Sequence, residues 1–472
     1  MKHVAFSGRL VMLGFGSIGQ GVLPLILRHI DMPKDRITIV TAEPRGHEVA
    51  EEYGIRFIQQ AATRDNFSAL LSPLLSKGDF LLNLSVDVSS VELMKLCQKL
   101  DVLYLDTVVE PWPGGYTDPA LTPSQRSNYA MREEAIALRA MAQGGPTSIT
   151  AHGANPGLVS HFVKAALLDI ARDTGAPVAM PPPAADRAAW AAIAERLGIK
   201  VIHIAERDTQ VSNTPKKPGE FVNTWSIDGF VGEGSQPAEL GFGTHEKALP
   251  PDGHRHGFGC DAAIFLMRPG ASTRVRSWTP LEGPYHGFLI THNEAISIAD
   301  YYTVRSADGT VRYRPTSHYA YHPCDDAVLS VHELAGKNWE MQPEKRLMTD
   351  EIVHGMDELG VLLMGHAKGA YWYGSRLTIE EARRAAPHNS ATSLQVTSAA
   401  LAGVIWAMEN PRRGVVESDE IDHQRVLEIC APYLGDVVGV YSDWTPLQDR
   451  ARLFPEALDT ADPWQFANFR VT

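Results

Sequence analysis

The 472-residue sequence contains only four cysteines, and none of them has a close cysteine neighbour. Cys97, Cys260, Cys324 and Cys430 are scattered without any C-x-x-C spacing. That spacing is typical of structural zinc sites and redox-active thiols, and dense cysteines are typical of small secreted domains. We therefore expect reduced thiols and a cytoplasmic protein.

Long apolar runs and a surplus of positive charge are also absent. No run reaches the ~18 apolar residues of a membrane-spanning helix, and the first residues lack the apolar stretch of a signal peptide. The net charge is −13, from 56 acidic and 43 basic residues. Binding to a nucleic-acid backbone requires a basic surface. We therefore expect neither a nucleic acid nor a membrane as a partner.

Two short stretches place two histidines near a cysteine. Neither stretch has the C-x-x-C pair of a structural zinc site, and the H-x-x-x-H spacing of His318 and His322 is not accompanied by paired cysteines. Because the chain contains 18 histidines, some lie near a cysteine by chance. We predict no metal site in these stretches, which are His254–Cys260 and His318–Cys324.

A glycine-rich turn follows the first strongly apolar run. Leu10–Leu13 leads directly into "GFGSIG", which matches the G-x-G-x-x-G fingerprint. Its glycines allow a tight turn and bring the backbone close to a pyrophosphate at the start of the next helix. The residues predicted to contact a dinucleotide here are Gly14, Gly16, Ser17, Ile18 and Gly19.

Strand-like runs recur after this turn, with helix-like segments such as Val88–Lys99 and Ser124–Met141 between them. This alternation predicts an α/β fold with a doubly wound parallel sheet. Pro24 falls inside the first expected helix, where it would kink the helix or mark a late start. The runs are Ile37–Val40, Ile55–Ile58, Phe80–Leu84, Val102–Leu105 and Thr147–Thr150.

The ends of these runs carry the remaining candidate cofactor residues, because ligands bind beyond the carboxyl ends of parallel strands. An acidic residue usually follows the second strand, but Thr41 stands there and Glu43 is the nearest carboxylate. A carboxylate at that place would repel a 2′-phosphate, so we predict NAD rather than NADP. For each polar residue, capping of a loop is the alternative. The candidates are Thr41, Glu43, Asn83, Ser85, Asp87, Asp106, Thr107, Asn155 and Pro156.

The middle of the chain is rich in strand-like runs, and "ADG" between two of them predicts a hairpin. We expect a second, antiparallel-rich α+β domain that faces the nucleotide. The apolar segment "ATSLQVTSAALAGVIWAMENPRRG" predicts a buried helix that returns to the first domain. The predicted division is a nucleotide-binding domain at 1–155, a substrate and dimerisation domain at 156–375, and a C-terminal helical region with a wrapping tail at 376–472.

Residues 221–246 combine one tryptophan, five glycines and four carboxylates without any basic residue. We expect a glycine-rich loop after Trp225, with Glu206 and Asp208 at the end of a neighbouring strand. An indole face beside carboxylates suits an ammonium ion, through cation–π attraction and charge-assisted hydrogen bonds. The alternative is a solvated acidic loop. The carboxylates of the stretch are Asp228, Glu233, Glu239 and Glu246.

Ordered motifs from near the N-terminus to Phe466 resemble the bacterial homospermidine synthases, which are relatives of saccharopine and carboxyspermidine dehydrogenases. They include "GFGSIG", "NLSVD", "DTVVEPW", "GANPG", "HIAERDTQ", "FVNTWS", "GFVGEG", "RVRSWTP", "THNEAISIAD", "HYAYHPC", "DELGVLL", "DWTPL" and "DPWQF". The resemblance implies a homodimeric transferase that holds NAD and joins two putrescines, or putrescine and spermidine, into homospermidine. Ammonia or diaminopropane leaves, through imine intermediates, without net oxidation.

The resemblance also implies roles for particular residues. The ring of Trp225 would hold a cationic intermediate, and Glu206 and Glu233 would bind ammonium groups or move protons. The residues expected to orient the substrate and complete its pocket are Glu110, Asn155, His292 and Asp357.

Two rival functions stay open at this point. A carboxyspermidine- or saccharopine-type dehydrogenase would bind a substrate carboxylate and would need an arginine fork. Arg207, Arg274 and Arg276 are the available arginines in the quoted stretches. The other rival is a polyamine-binding protein without catalytic activity.

Overall fold

The first of two large sheets confirms the predicted doubly wound architecture. The computed structural model describes residues 1–471. All neighbouring strands of this seven-stranded sheet are parallel. Its strands, in spatial order, are Val415–Glu417, Ser148–Thr150, Leu103–Asp106, Phe80–Asn83, Leu10–Leu13, Ile37–Thr41 and Arg56–Gln59.

The central strand of this sheet is the run that precedes the glycine turn. Leu10–Leu13 is completely buried, as expected for a strand covered by helices on both faces. The first helix begins immediately after the turn, at Ser17, and ends at His29. Pro24 lies inside this helix, so the helix does not start late.

Within residues 1–471 the second sheet has eleven strands, and nine of its ten strand pairs are antiparallel. The parallel pair is Thr316–His322 with Val201–Asp208. This confirms the predicted antiparallel-rich α+β region. The strands are Val201–Asp208, Pro237–Gly241, Gly253–Arg255, Ala263–Pro269, Arg274–Thr279, Gly283–Phe288, Thr316–His322, Met356–His366, Gly369–Thr378, Asp436–Ser442 and Arg470–Val471.

Short strands complete the pairing. The "ADG" hairpin forms between Val304–Arg305 and Val311–Tyr313, as predicted. Three further pairs lie outside the two large sheets. They are Val4–Ala5 with Ile30–Asp31, Val211–Ser212 with Ile352–His354, and Glu220–Asn223 with Glu344–Leu347.

Helices cover both sheets. The predicted segments Val88–Lys99 and Ser124–Met141 contain the helices Ser90–Leu100 and Asn128–Ala137. The remaining α-helices after the first are His47–Tyr53, Phe67–Leu71, Leu158–Asp173, Arg187–Leu197, Ile227–Ser235, Asn293–Tyr301, Asp325–Gly336, Ile379–Ala385, Ala391–Glu409, His423–Cys430 and Phe466–Phe469.

The helix Ala391–Glu409 lies in the core, as its apolar composition predicts. It packs against the first helix, the strand Leu103–Asp106 of the first sheet and the strand Met356–His366 of the second. It is long and apolar enough to cross a membrane, but 89% of its apolar window is buried inside the protein. This burial on all faces is that of a core helix in a folded protein.

The last hundred residues contribute to both sheets. Val415–Glu417 pairs with Ser148–Thr150 at the edge of the first sheet. Asp436–Ser442 pairs with Gly369–Thr378 in the second. The region from 376 onward therefore contains strands as well as helices, and the proposed domain boundaries stay a prediction.

A buried arginine connects elements of the two sheets. Arg132, on the helix Asn128–Ala137, is 1% exposed. Its Nε donates to Glu417 Oε1 at 2.6 Å, and its Nη2 donates to Asp300 Oδ2 at 2.9 Å. Glu417 belongs to the first sheet, and Asp300 belongs to a helix packed on the second. Removing one member of such a buried pair is strongly destabilising, so this network fixes how the two layers meet.

Candidate active site

Glu206 lies where the two sheets meet. It is buried near the end of the strand Val201–Asp208. Asn155, in the loop that follows the first sheet's strand Ser148–Thr150, donates its side-chain amide to Glu206 Oε2 at 2.8 Å. The hydroxyl of Tyr319 donates to the same oxygen at 2.5 Å. The predicted site residues Asn155 and Glu206 are therefore in direct contact.

Two aspartates share this buried environment. Asp208 follows Glu206 by two residues on the same strand, and Asp357 is its partner on the neighbouring antiparallel strand. Asp208 accepts hydrogen bonds from Thr224 Oγ1 at 2.7 Å and from the backbone and side chain of Gln210. Among residues 1–471, neither carboxylate oxygen of Asp357 has a hydrogen-bond partner. We name Glu206, Asp208 and Asp357 the inner carboxylates.

Burial raises the pKa of all three inner carboxylates. The pKa of Glu206 rises to about 7, and that of Asp208 rises for the same reason. The pKa of Asp357 rises well above its usual value through burial and through the charge of Glu206. Three adjacent carboxyl groups cannot all ionise cheaply in a buried site. An ammonium ion placed among them would remove that penalty.

His292 connects this group to a second pair of acids. Its Nε2 lies 2.8 Å from Glu233 Oε2, and its Nδ1 lies 3.2 Å from Glu294 Oε1. Its ring lies 4.6 Å from that of Tyr319. Burial lowers the pKa of His292, but the carboxylates of Glu233 and Glu294 raise it well above its usual value. His292 is therefore a protonated imidazolium held between the carboxylates of Glu233 and Glu294.

Aromatic rings form one side of the site. Tyr319 and Tyr321 alternate on the strand Thr316–His322 and stack with ring centroids 5.1 Å apart. Trp225 is half-buried, and its Nε1 donates to the hydroxyl of Tyr321 at 3.0 Å. Phe230 packs against Trp225 at a centroid distance of 5.6 Å. The predicted tryptophan therefore joins the same assembly as Glu206, through the two tyrosines.

Glu110 is buried at the outer end of the assembly. Its Oε2 accepts a 3.5 Å hydrogen bond from the backbone of Asp87. Burial and the charge of Glu233 raise the pKa of Glu110 to about 8. Glu110 also lines an open cavity of about 810 Å³ together with Phe67 and Trp112. All seven predicted substrate residues therefore belong to one connected region.

The glycine turn has the shape that a pyrophosphate requires. Gly14 has a φ of +88°, and a Cβ on it would lie 2.6 Å from the backbone of Leu84. A Cβ on Gly16 would meet no protein atom within 4 Å, so this face of the turn is open. The helix that starts at Ser17 has no side-chain cap and no acidic residue in its first turn. Its free N–H groups suit an anion.

The other predicted cofactor residues differ in whether their side chains are already bonded inside the protein. Thr41 is the last residue of the strand that bonds to the turn, since the backbone N–H of Gly14 donates to Val40, and Glu43 follows this strand. Asp106 accepts from the backbone of Ala151 at 2.6 Å and from Tyr104 at 2.8 Å. Both oxygens of Asp106 are thus used inside the protein, and burial raises its pKa to about 6.

Asn83 is held in a similar way. Its side chain donates to Tyr104 at 3.1 Å and accepts from Ser85 Oγ at 2.6 Å. These bonds favour the capping alternative for Asn83 and Asp106. Contacts of the predicted set with a cofactor stay a prediction.

The expected glycine loop after Trp225 is wrong, because Ile227–Ser235 is a helix. Ser226 caps it by accepting a hydrogen bond from the backbone of Gly229 at 3.1 Å. Its glycines serve close packing: a Cβ on Gly234 would lie 3.0 Å from Ala271. Glu233 is consequently presented by a helix, in which Ile227, Phe230 and Glu233 are buried.

Three of the four acids in that stretch lie elsewhere, which corrects their expected grouping. Asp228 is exposed and pairs with Lys345. Glu239 accepts from the backbone of Asn128 at 2.8 Å. Glu246 accepts from Thr316 Oγ1 at 2.6 Å. Only Glu233 joins the site.

Sequence reasoning missed Tyr319, Tyr321 and Glu294. The alternation of the two tyrosines in "HYAYHPC" indicated a strand with both rings on one face. Their partnership with Glu206 depends on the parallel register that pairs Tyr321 with Glu206, and no local pattern carries that register.

A dehydrogenase acting on a carboxylate substrate would need an arginine in this site. The three arginines considered for that role form their contacts elsewhere. Arg207 points away from Glu206 along the strand and donates to Asp325 at 3.2 Å. Arg274 and Arg276 bond to histidines, at 2.8 and 2.9 Å. The inner carboxylates therefore lack the arginine fork that a carboxylate substrate would need.

Comparisons with known proteins agree with this geometry. Residues 10–149 match the saccharopine dehydrogenase NADP binding domain, and residues 153–440 match the saccharopine dehydrogenase C-terminal domain. A homospermidine synthase of Blastochloris viridis is 56% identical over 467 residues, which is 98% of this chain and 97% of that protein. The chain belongs to the homospermidine synthase family.

Other members of the homospermidine synthase family match over similar lengths. The enzyme of Mesorhizobium japonicum is 54% identical and covers 98% of this chain and 96% of its own. The crystal structure of the Legionella pneumophila homospermidine synthase, a complex with NAD, is 49% identical with a TM-score of 0.92, covering 100% and 99% of the two chains. Saccharopine dehydrogenase of Saccharomyces cerevisiae shares only the fold, at 9% identity and a TM-score of 0.51, covering 92% of this chain and 100% of its own.

Two glycine substitutions separate folding from cofactor binding. We expect Gly14→Ala to lower the melting temperature, because alanine is strained at positive φ and its Cβ collides with Leu84. We expect Gly16→Ala to keep the melting temperature of NAD-free protein but to lose bound NAD, the predicted cofactor, because its Cβ fills the open face. Differential scanning fluorimetry and mass spectrometry of the purified variants measure both. Full NAD content in Gly16→Ala would contradict this assignment.

Burial of Glu206 also predicts a dependence of stability on pH. Its folded pKa of about 7 exceeds the usual 4.5, so the native state retains a proton that the unfolded state releases. This contribution is complete below pH 4.5 and is lost as the pH rises through 7, on the order of 3 kcal/mol. Glu206→Gln should flatten that decline in urea unfolding between pH 5 and 8. The exposed Glu51→Gln serves as the control, and parallel curves for all three proteins would refute the expectation.

Proposed function

We propose that this protein is a homospermidine synthase that condenses two putrescine molecules into sym-homospermidine and releases ammonia, using NAD without net oxidation. With spermidine as donor of the aminobutyl group, diaminopropane would leave instead. The observation that carries the proposal is the set of buried carboxylates beside aromatic rings, which form no ion pair with an arginine among residues 1–471. The relatives of this family, at 54–56% identity over nearly the whole chain, support it.

NAD would bind along the glycine turn. The free N–H groups at the start of the helix Ser17–His29 suit its pyrophosphate, and Gly16 leaves room for it. Glu43 would accept from a ribose hydroxyl and disfavour the 2′-phosphate of NADP. The Legionella relative contains NAD, which supports the same choice. When bound, NAD accepts a hydride from an amine and returns it to an imine.

The protein's own part begins with binding a diammonium ion. Putrescine carries a positive charge at each end, and the site has acids at two places: the inner carboxylates, and Glu233 with Glu110. The imidazolium of His292 offsets part of the charge of Glu233 and Glu294. Such charge-assisted hydrogen bonds are strong where water is excluded.

Proton transfer falls to Glu206. A carboxyl group with a pKa of about 7 can both accept and donate a proton at neutral pH. The ammonium group of the first putrescine must lose a proton before a hydride leaves the carbon next to it. The ammonium group of the second putrescine must also lose a proton before it attacks the imine as a nucleophile. Asn155 and Tyr319 both donate to Oε2 of Glu206, so the carboxyl group is held in one orientation. Displaced ammonia leaves after a proton has been returned to the departing nitrogen.

Trp225 would hold the cationic imine. A protonated imine lacks the full set of hydrogen-bond donors of an ammonium ion, so a π face is a suitable partner for it. The hydrogen bond from its Nε1 to Tyr321 fixes the orientation of the indole.

The two rivals lack this support. A carboxyspermidine- or saccharopine-type dehydrogenase would need an arginine fork beside the inner carboxylates, and Arg207, Arg274 and Arg276 point elsewhere. A polyamine-binding protein without activity would have no need of a buried carboxyl group with a pKa of about 7 among its ligand-binding acids.

A single incubation tests the function. We expect purified protein given putrescine alone, with no reductant, to form homospermidine and ammonia in equal amounts, as measured by mass spectrometry and an ammonia assay. NAD should co-purify and not accumulate as free NADH, because the same hydride returns. A reductive dehydrogenase would form no product under these conditions, and a binding protein would leave putrescine unchanged.

Glu233→Gln supplies the internal control for that assay. It keeps the shape of the side chain but removes the charge opposite His292, so turnover should fall severely while the protein still folds, because Glu294 continues to pair with His292. Near-normal turnover would return Glu233 to a structural role.

Substitutions of Trp225 test the cation–π contact. Trp225→Phe should keep part of kcat, because phenylalanine retains a weaker π face, whereas Trp225→Leu should lose about thirtyfold, which corresponds to ~2 kcal/mol. Tyr321→Phe is the matched control, since it removes the hydroxyl that accepts from Trp225 but keeps the ring. Kinetics are compared only between variants with equal melting temperatures and NAD content. Equal kcat for the phenylalanine and leucine variants would make Trp225 a packing residue.

The assembly and location of the protein complete the proposal. The homodimer implied by the family resemblance stays a prediction. Cys97, Cys260, Cys324 and Cys430 are all free thiols, which supports a reducing, cytoplasmic compartment.

A further inference from the structure

A second cavity lies between a hairpin of the second sheet and the C-terminal tail. Its volume is about 290 Å³. The strands Arg274–Thr279 and Gly283–Phe288 form one side, and the segment Trp444–Asp449 forms the other. No part of the proposed reaction uses it.

The polar side of this cavity is basic. Arg276 and His286 are cross-strand partners, and Arg276 Nη1 donates to His286 Nε2 at 2.9 Å. Among residues 1–471, Arg276 forms no ion pair and its buried Nε has no hydrogen-bond partner. Arg274, two residues earlier on the same strand face, also bonds to a histidine rather than to an acid. An unneutralised arginine pair is unusual in a chain with a net charge of −13.

The nearby acids are already engaged. Glu456 accepts from Arg450 Nε at 2.9 Å. Asp449, which lines the cavity, lies 3.5 Å from Arg452. Neither carboxylate forms an ion pair with Arg276, although the charge of Glu456 acts on it, so its guanidinium retains donors for an external anion.

The remaining wall is partly apolar. Trp444 and Tyr285, which are 4% and 8% exposed, present the edges of their rings beside Pro284 and Pro446, and Thr445, Gln448 and Asp449 complete the lining. The hydroxyl of Tyr285 is satisfied by the backbone oxygen of Ala320 at 2.7 Å, so its ring is fixed. Aromatic and proline side chains next to an arginine fork suit a small ring that carries an anionic group.

We propose that this cavity binds a small organic anion, whose phosphate or carboxylate group pairs with Arg276 and whose ring packs against Trp444. The volume lies at the lower end of that of ligand pockets, so the ligand is no larger than a single substituted ring. None of the residues assigned to the reaction lines this cavity, so the proposal does not depend on the proposed function.

Calorimetric titration of the NAD-bound protein tests the proposal with defined probes. Phenyl phosphate and benzoate distinguish a phosphate from a carboxylate ligand, inorganic phosphate lacks the ring, and phenol lacks the charge. We expect one of the two ring anions to bind, and both inorganic phosphate and phenol to bind at least about tenfold more weakly, as each lacks one of the two contacts. Saturating NAD keeps the probes away from the glycine turn.

Variants of Arg276 identify the site. We expect Arg276→Gln to weaken binding at least about tenfold, because a charge-assisted hydrogen bond is lost, and Arg276→Lys to retain part of it. Arg312→Gln is the control: it removes one positive charge from an exposed strand position whose partner is Glu195. Affinity should be unchanged in that control. Undiminished binding to Arg276→Gln, or no binding of either ring anion at about 10 mM, overturns the proposal.

Discussion

The hydrogen bond from Asn155 to Glu206 joins the two halves of this protein at its chemical centre. Asn155 follows the last internal strand of the parallel sheet, and Glu206 lies on a central strand of the antiparallel-rich sheet. A buried carboxyl group that accepts from both Asn155 and Tyr319 is fixed relative to both layers. The positions of the inner carboxylates therefore depend on how the sheets meet, and so does the pKa of about 7 at Glu206.

Among residues 1–471, the three inner carboxylates form no ion pair with an arginine or lysine, although Arg207 lies between two of them on the strand. Burying them is therefore unfavourable, and the rest of the fold must stabilise that arrangement. The helix Ala391–Glu409 packs against both sheets, and Arg132 links Glu417 of one sheet with Asp300 beside the other. These contacts hold the layers together, and the helix also reaches the acids, since Thr392 Oγ1 donates to Asp208 Oδ2 at 3.4 Å. A cationic substrate would relieve the repulsion between the inner carboxylates. Part of the binding free energy would therefore come from the positive charge of the ligand.

The fold of the first third follows closely from local patterns. Apolar runs of four or five residues, a glycine turn and helix-like segments between them are sufficient, because each parallel strand is buried on both faces and reads as a continuous apolar run. Ile227–Ser235 is the counterexample. Its glycines indicated a loop, whereas they allow close packing of a helix against Ala271, a reason that exists only after the chain has folded.

The sequence by itself determined the composition of the site: its acids, its tryptophan, the glycine turn and the family to which the motifs belong. It also determined that no basic residue stands among the acids of the 221–246 stretch. Tertiary structure alone decided that Glu233 reaches His292 while Asp228, Glu239 and Glu246 do not, and that Tyr319 donates to Glu206. Both outcomes rest on strand register and helix placement between residues more than fifty positions apart, and such contacts are set by packing of the whole core rather than by any local propensity.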